Sequence, residues 1–177
     1  MPTHKFESQK LVYQGRVATA YKVTLRMDDG SLVERDFVHY GGAAVILPVL
    51  DDGSIALIRN ERFAVGEDLL ELPAGMLEDS ENPDLCAARE LTEETGYVAG
   101  RIEKLGQFFT GPGTTDEVMH AYLATNLSAG PQNLEQYERI TVEVYSDSAV
   151  RRMVRDGTLH DGKSIAALAL YWLKRES

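Results

Sequence analysis

The eight residues Ala43–Leu50 are all apolar, with Gly41-Gly42 before them and Asp51-Asp52-Gly53 after them. A run of this length between turn signals reads as a strand buried at the centre of a sheet. Asp51-Asp52-Gly53 then turns the chain into Ser54–Arg59, which is expected to close a hairpin on it. Upstream, Leu11–Val38 reads as a small β unit. Tyr21, Val23, Leu25 and Met27 alternate with Lys22, Thr24 and Arg26, and Asp28-Asp29-Gly30 turns the chain into a partner strand, Leu32–Val38. Downstream, strands are expected at Leu69–Leu72, Ile102–Phe109, Val118–Thr125 and Thr141–Tyr145, with an irregular polar stretch from Asn126 to Arg139. Helices are expected at Pro83–Thr95, from a cap at Asp147 to Arg155, and at Gly162–Lys174. Strands with helices interspersed late argue for an α+β class rather than repeating βαβ units. A length of 177 residues suits one domain with a small appendage, read as an N-terminal β unit over 1–40 and a main domain over 41–177.

Charge narrows the function. The net charge is −10. Between Glu67 and Glu94 lie ten acids and one base, Arg89, a local net of −9. Such a surface repels nucleic acid and anionic membranes, so neither is expected as a partner. The single cysteine, Cys86, excludes an intrachain disulfide and fits a reducing compartment. Met1–Lys10 is polar, and the apolar runs Ala43–Leu50 and Ile165–Leu173 fall far short of the ~20 residues that span a bilayer. A cytoplasmic location is expected.

The acidic run includes a helix with clear punctuation: Asn82 as N-cap, Pro83 in the first turn, Gly96 just past the end. At 100° per residue, Leu85, Ala88, Leu91 and Thr95 form a core stripe, and Glu90, Glu93 and Glu94 gather opposite. A solvated face is the plain reading. Two facts oppose it. Glu90 and Glu94 are like charges at i and i+4, which destabilise a helix by about 0.2–0.5 kcal/mol. Glu93 and Glu94 also stand in the last turn, where the helix dipole disfavours anions. A compensating cation would resolve both, and hard oxygen ligands select Mg²⁺, Mn²⁺ or Ca²⁺ over Zn²⁺.

The spelling of this segment is specific. Gly75–Tyr97, GMLEDSENPDLCAARELTEETGY, resembles the Nudix box, GX5EX7REUXEEXGU, where U is aliphatic. Gly75, Glu81, Arg89, Glu90, Leu91, Glu93, Glu94 and Gly96 fall on specified positions, and only Tyr97 departs. The resemblance implies the Nudix fold, an α/β/α sandwich around a mixed β-sheet, and hydrolysis of a nucleoside diphosphate linked to another group. It implies Glu90 and Glu94 as principal metal ligands, with the Ala74 carbonyl third, Glu93 joining directly or through water, and Arg89 paired with Glu81. The expected ion is Mg²⁺, with Mn²⁺ as a substitute.

Further segments resemble the ADP-ribose pyrophosphatase branch. Val38–Ala43 is similar to its "ehpGa", with Tyr40 for proline. Ile58–Gly66 is similar to "vRQyRyavG", with Glu61 for an aromatic. Leu70–Gly75 matches "lELPAG", Pro112 lies near the branch's marker proline, and Gly157–Leu170 is similar to "GeixDaKTiaaLll". The branch implies Mg²⁺-dependent hydrolysis of ADP-ribose to AMP and ribose 5-phosphate. Glu90 and Glu94 would serve the catalysis. Glu117, on a Gly-Pro-Gly loop, would act as general base or hold the water, its alternative being an exposed loop acid. Arg62 is the candidate phosphate contact, Arg35 a weaker substrate contact, and Glu71 either reads the substrate or caps the strand end. Tyr13, Tyr21 and Phe37 either stack a base or form core; His39, His120 and His160 read as structural, and Cys86 as a packed thiol. The branch also implies a homodimer with exchanged N-terminal strands. Competing readings are another nucleoside diphosphate derivative such as GDP-mannose or NADH, and a non-catalytic nucleotide-sugar sensor, which the full glutamate set opposes. An acidic Ca²⁺ module lacks the EF-hand spacing.

Overall fold

A computed structural model describes residues 4–176. In chain order its elements are β1 (His4–Gln14), β2 (Ala18–Met27), β3 (Leu32–Tyr40), β4 (Ala43–Pro48), β5 (Ile55–Arg62), β6 (Glu67–Glu71), β7 (Ala74–Met76), α1 (Pro83–Thr95), β8 (Tyr97–Phe109), β9 (Val118–Ala129), β10 (Ile140–Tyr145), α2 (Asp147–Asp156) and α3 (Gly162–Arg175). They form two compact units, one of Met1–Gly42 with Phe109–Val118 and one of Ala43–Phe108 with Met119–Ser177.

The first unit is an antiparallel sheet in the order β1-β2-β3. Tyr21 pairs with Phe37 across β2 and β3, and their rings stack at 6.0 Å. The expected turn forms at Asp28–Gly30, with Gly30 at φ 82. The first strand is longer than expected and begins at His4 rather than Leu11. Its first half has a single apolar residue, Phe6, so it shows no alternation and is defined by its pairing with β2, from His4↔Met27 onward. An ion pair from Arg26 to Glu7 at 2.8 Å spans the two strands. The segment 110–117 lies along β3: the Val38 N–H donates to the Thr114 carbonyl at 2.9 Å.

The second unit is layered around β4. This strand lies between β7, antiparallel, and β9, parallel, in a sheet ordered β7-β4-β9-β8. All six residues of β4 are buried. Ala44 and Ile46 pack with Cys86, Ala87 and Leu91 of α1. Ala43, Val45 and Leu47 pack on the opposite face, in the core that holds Val150, Leu159, Ala167, Leu168 and Tyr171. The alternation of a strand thus gives β4 one helical layer on each face, the expected α/β/α sandwich.

Three local expectations differ. Ser54–Arg59 does not close a hairpin on β4 beyond one bridge, Val49↔Ile55; β5 instead sits between β10 and β6. The strand expected at Leu69–Leu72 forms as Glu67–Glu71, and three residues later Ala74–Met76 adds an unexpected strand, β7, against β4. The N-cap of α2 is Ser146, whose Oγ accepts the Ala149 N–H, while Asp147 accepts from Trp172 Nε1 at 2.7 Å and Arg151 Nε at 2.9 Å. No described helix is long and apolar enough to cross a membrane.

Candidate active site

Helix α1 is punctuated as its sequence dictates. Asn82 accepts the Asp84 N–H at 2.9 Å, and Gly96 ends the helix at φ 74. Its orientation is not the one expected. The buried face is Cys86, Ala87, Leu91, Glu94 and Thr95, whereas Leu85 is 64% exposed. The small Cys86 and Ala87 meet β4, and the Tyr122 hydroxyl ties Asp84 at 2.6 Å. The rotation turns Glu94 inward.

Glu94 is only 4% exposed. Its carboxylate accepts the Ala74 N–H of β7 at 2.8 Å, and among the described residues no base pairs with it. Burial pushes its pKa up to about 8; the Ala74 N–H opposes the rise, and the charges of Glu90 and Glu138 add to it. Glu90 lies one turn earlier and its pKa is also raised, first by burial and against the pull of Arg89. A Cβ on residue 75 would overlap the Glu90 carboxyl group, so glycine there clears the space the carboxylate occupies.

Arg89 organises the outer side of the cluster. Its Nε and Nη2 grip Glu81 at 3.0 and 2.8 Å, and Nη1 reaches Glu90 at 2.6 Å and Glu93 at 3.1 Å. That fork holds Glu81 at a pKa of about 2. Cys86 is a packed thiol, pushed by burial up to about 12.

Sequence reasoning missed Glu138. The end of α1 leaves carbonyls without helical partners. They are taken by the segment after β9: Asn133 N–H donates to Glu93 O at 3.0 Å, Gln132 Nε2 to Glu94 O at 2.6 Å, and Gly130 N–H to Gly96 O at 2.7 Å. Residues 130–133 are thereby fastened to the helix end, and the charge of Glu138, farther along the same segment, acts on both Glu90 and Glu94. A polar stretch without periodicity gave no signal of this.

Arg62 stands at the end of β5, and its charge acts on Glu94. It forks onto Glu71, Nε to Oε1 at 2.9 Å and Nη2 to Oε2 at 2.7 Å. Glu71 is 1% exposed and also accepts from Lys163 Nζ at 2.5 Å. Arg62, Glu71, Ala74, Glu90 and Glu94 therefore share one neighbourhood.

Arg35 and Glu117 belong to the other unit. Arg35 is exposed on β3 and donates to the Glu34 carbonyl. Glu117 accepts the Thr110 hydroxyl at 2.5 Å. Its neighbour Asp116 accepts the Tyr40 N–H at 3.0 Å and meets His39 Nδ1 at 2.6 Å, which fastens this loop to β3.

The family model described as the NUDIX domain matches residues 39–156. The chain belongs to the Nudix family. It is a hydrolase of that family. An ADP-ribose pyrophosphatase of Bacillus subtilis is 32% identical over 94% of this chain and 91% of its own length. An ADP-ribose pyrophosphatase of Mycobacterium tuberculosis is 34% identical over 95% and 84%. A crystal structure of an ADP compounds hydrolase has the same fold at a TM-score of 0.87, with 21% identity over 100% of this chain and 97% of that one.

Nudix hydrolases use divalent metals. The donors here fit such an ion: oxygen ligands throughout, a nearly buried carboxylate with no base on it, and a glycine that leaves room for the second carboxylate. Among the described residues no three acidic, histidine or cysteine side chains converge into a closed cage. A pair of carboxylates leaves coordination positions of a divalent ion for water and other oxygen ligands.

Proposed function

We propose that this Nudix hydrolase cleaves the pyrophosphate of a nucleoside diphosphate sugar with Mg²⁺, acting on ADP-ribose: ADP-ribose and water give AMP and ribose 5-phosphate. The carrying observation is Glu94, a carboxylate buried beside Glu90 with no base paired to it among the described residues and with the Arg62 guanidinium in its field. The similarity to ADP-ribose pyrophosphatases over nearly the whole chain supports the substrate.

Glu90, Glu94 and the Ala74 carbonyl would hold the ion, and Mn²⁺ would substitute. A divalent ion there supplies charge neutralisation for the pyrophosphate and a lowered pKa for bound water. Arg89 holds Glu90 and Glu93 in place. Arg62 presents the edge of its guanidinium not engaged by Glu71 to a phosphate, a charge-assisted contact. Assaying a panel of nucleotide sugars with Mg²⁺ and Mn²⁺, with products identified by mass, tests this. ADP-ribose is expected to be cleaved best; a panel with no product would favour a sensor instead.

Two acids compete for general base, Glu117 and Glu138. Glu138, whose charge acts on Glu90 and Glu94 and whose carboxylate is tied to the Glu135 N–H at 2.9 Å, is the assignment put to the test, with Glu117 as its alternative. Glu138→Gln is expected to lower kcat by about 10²-fold or more. If Glu117→Gln shows that loss and Glu138→Gln does not, the assignment reverses.

The same reading includes a homodimer. Phe6, Leu11, Val12 and Tyr13 of β1 are each more than half exposed, an apolar strand that a second copy would cover. Light scattering is expected to give twice the chain mass of 19.6 kDa; a monomer at micromolar concentration would refute it.

A further inference from the structure

We propose that Glu71 and Lys163 are positioning residues, which fix the guanidinium of Arg62 for a phosphate of the substrate. The proposal rests on the reading of Arg62 as a phosphate contact.

Glu71 is too deeply placed to meet a substrate itself, with 1% of its surface exposed. A buried carboxylate is costly unless it is paired and hydrogen-bonded, and an apolar residue of similar size would serve the core as well or better. The pairing is specific. In the β5–β6 register Ile58 faces Glu71 and Arg62 faces Glu67. Ile58, Asn60 and Arg62 share one face of β5, so the Arg62 side chain runs back along the hairpin to reach Glu71. The fork engages Nε and Nη2. That leaves the Nη1 edge of a planar five-donor group, on a side chain 39% exposed. One edge is clamped in the protein and the other is turned outward.

Lys163 completes the clamp. It stands in the first turn of α3, where the helix dipole disfavours a cation. Its Nζ reaches Glu71 Oε2, the oxygen that also takes Arg62 Nη2, and Asp161 Oδ2 at 2.9 Å. The base of Lys163 is itself fixed. Ser164 Oγ accepts the N–H of Leu72, the residue after Glu71, at 2.7 Å and donates to Asp161 at 2.5 Å. Asp161 and Glu71 balance Lys163 and Arg62 in charge, so the cluster adds direction rather than net attraction. Without Lys163, the Glu71 carboxylate keeps Arg62 as its one cation and can turn about its own bond, taking the guanidinium plane with it.

The test is a mutant cycle in the full chain with Mg²⁺ and ADP-ribose, or whichever nucleotide sugar the panel shows to be cleaved. Arg62→Ala is expected to raise KM at least about tenfold. Lys163→Met is expected to raise KM by about five- to tenfold with kcat within about twofold, Lys163→Arg to restore KM, and Lys163→Met to add nothing in the Arg62→Ala background. The same KM factor in both backgrounds would mean that Lys163 touches the substrate, and an unchanged KM would mean that it is a structural ion pair; either overturns the proposal. An unchanged KM in Arg62→Ala would instead remove the phosphate reading of Arg62 and the proposal with it. Should Lys163→Met fail to fold, Glu71→Gln, which keeps the shape, enters the same cycle with the same expectations.

Discussion

Replacing Glu94 by glutamine is expected to lower hydrolysis by about 10³-fold and at the same time to stabilise the metal-free protein. The two effects come from one carboxylate. As a ligand it would bring several kcal/mol of charge stabilisation to the transition state, and each 1.36 kcal/mol is tenfold in rate. As a buried charge with one N–H bond and no base, it burdens the fold when no ion is present. Glutamine retains a carbonyl oxygen for the Ala74 N–H and removes the charge. Melting in a chelator at pH 8.5 should show the variant higher than the parent, with roughly 2–4 °C for each kcal/mol recovered in a chain of this length. Turnover with Mg²⁺ is measured on the same samples. Turnover within tenfold of the parent would sink the metal-ligand assignment, and a lower melting point would show that Glu94 is held by partners other than a cation.

The inward turn of Glu94 shows where local reading stops. Asn82, Pro83 and Gly96 mark α1 residue by residue, because caps act within one turn of the chain. Helical periodicity tells which side chains share a face. It does not tell which face the rest of the molecule covers. Leu85, expected in the core, is 64% exposed, because Cys86 and Ala87 give the closer approach to β4. The central strand was legible because eight apolar residues between turns leave few alternatives. Its neighbours were not: Ser54–Arg59 has a visible turn before it, yet pairs with β6 and with the distant β10. The first half of β1 has Phe6 as its one apolar residue and exists as a strand through its partner. Glu138 and Lys163 follow the same rule. Glu138 lies five residues beyond the amides of 130–133 that satisfy the end of α1, its carboxylate accepting the Glu135 N–H at 2.9 Å, and Lys163 finds Glu71 across 92 residues of sequence. Arg89 with Glu81 was legible, since a spaced motif states both partners.

The metal-free protein is expected to lose stability as pH rises from about 5 to about 8, and divalent ions to return it, most strongly at the upper end. Glu94 sits at about 8 in the fold, against an ordinary carboxylate range near 4.5. Between those values the native state holds a proton that the unfolded chain has released. Unfolding then releases a proton, and stability falls with rising pH by up to 1.36 kcal/mol per unit for this one group. The slope begins above the unfolded value and flattens above about 8, where both states are ionised. Glu90, also raised by burial, works in the same direction. The carboxylate must give up its proton to take an ion, so binding releases one proton below pH 8 and apparent affinity rises by up to about tenfold per unit until the titration is complete. Melting curves across pH 5.5–8.5, in chelator and in Mg²⁺, read the first effect; titration calorimetry in two buffers of different ionisation enthalpy reads the second. Glu94→Gln should remove most of the slope and the proton release together. A metal-free melting point that rises across this range, or ion binding without proton release at pH 6.5, would show that Glu94 is already ionised in the unliganded fold.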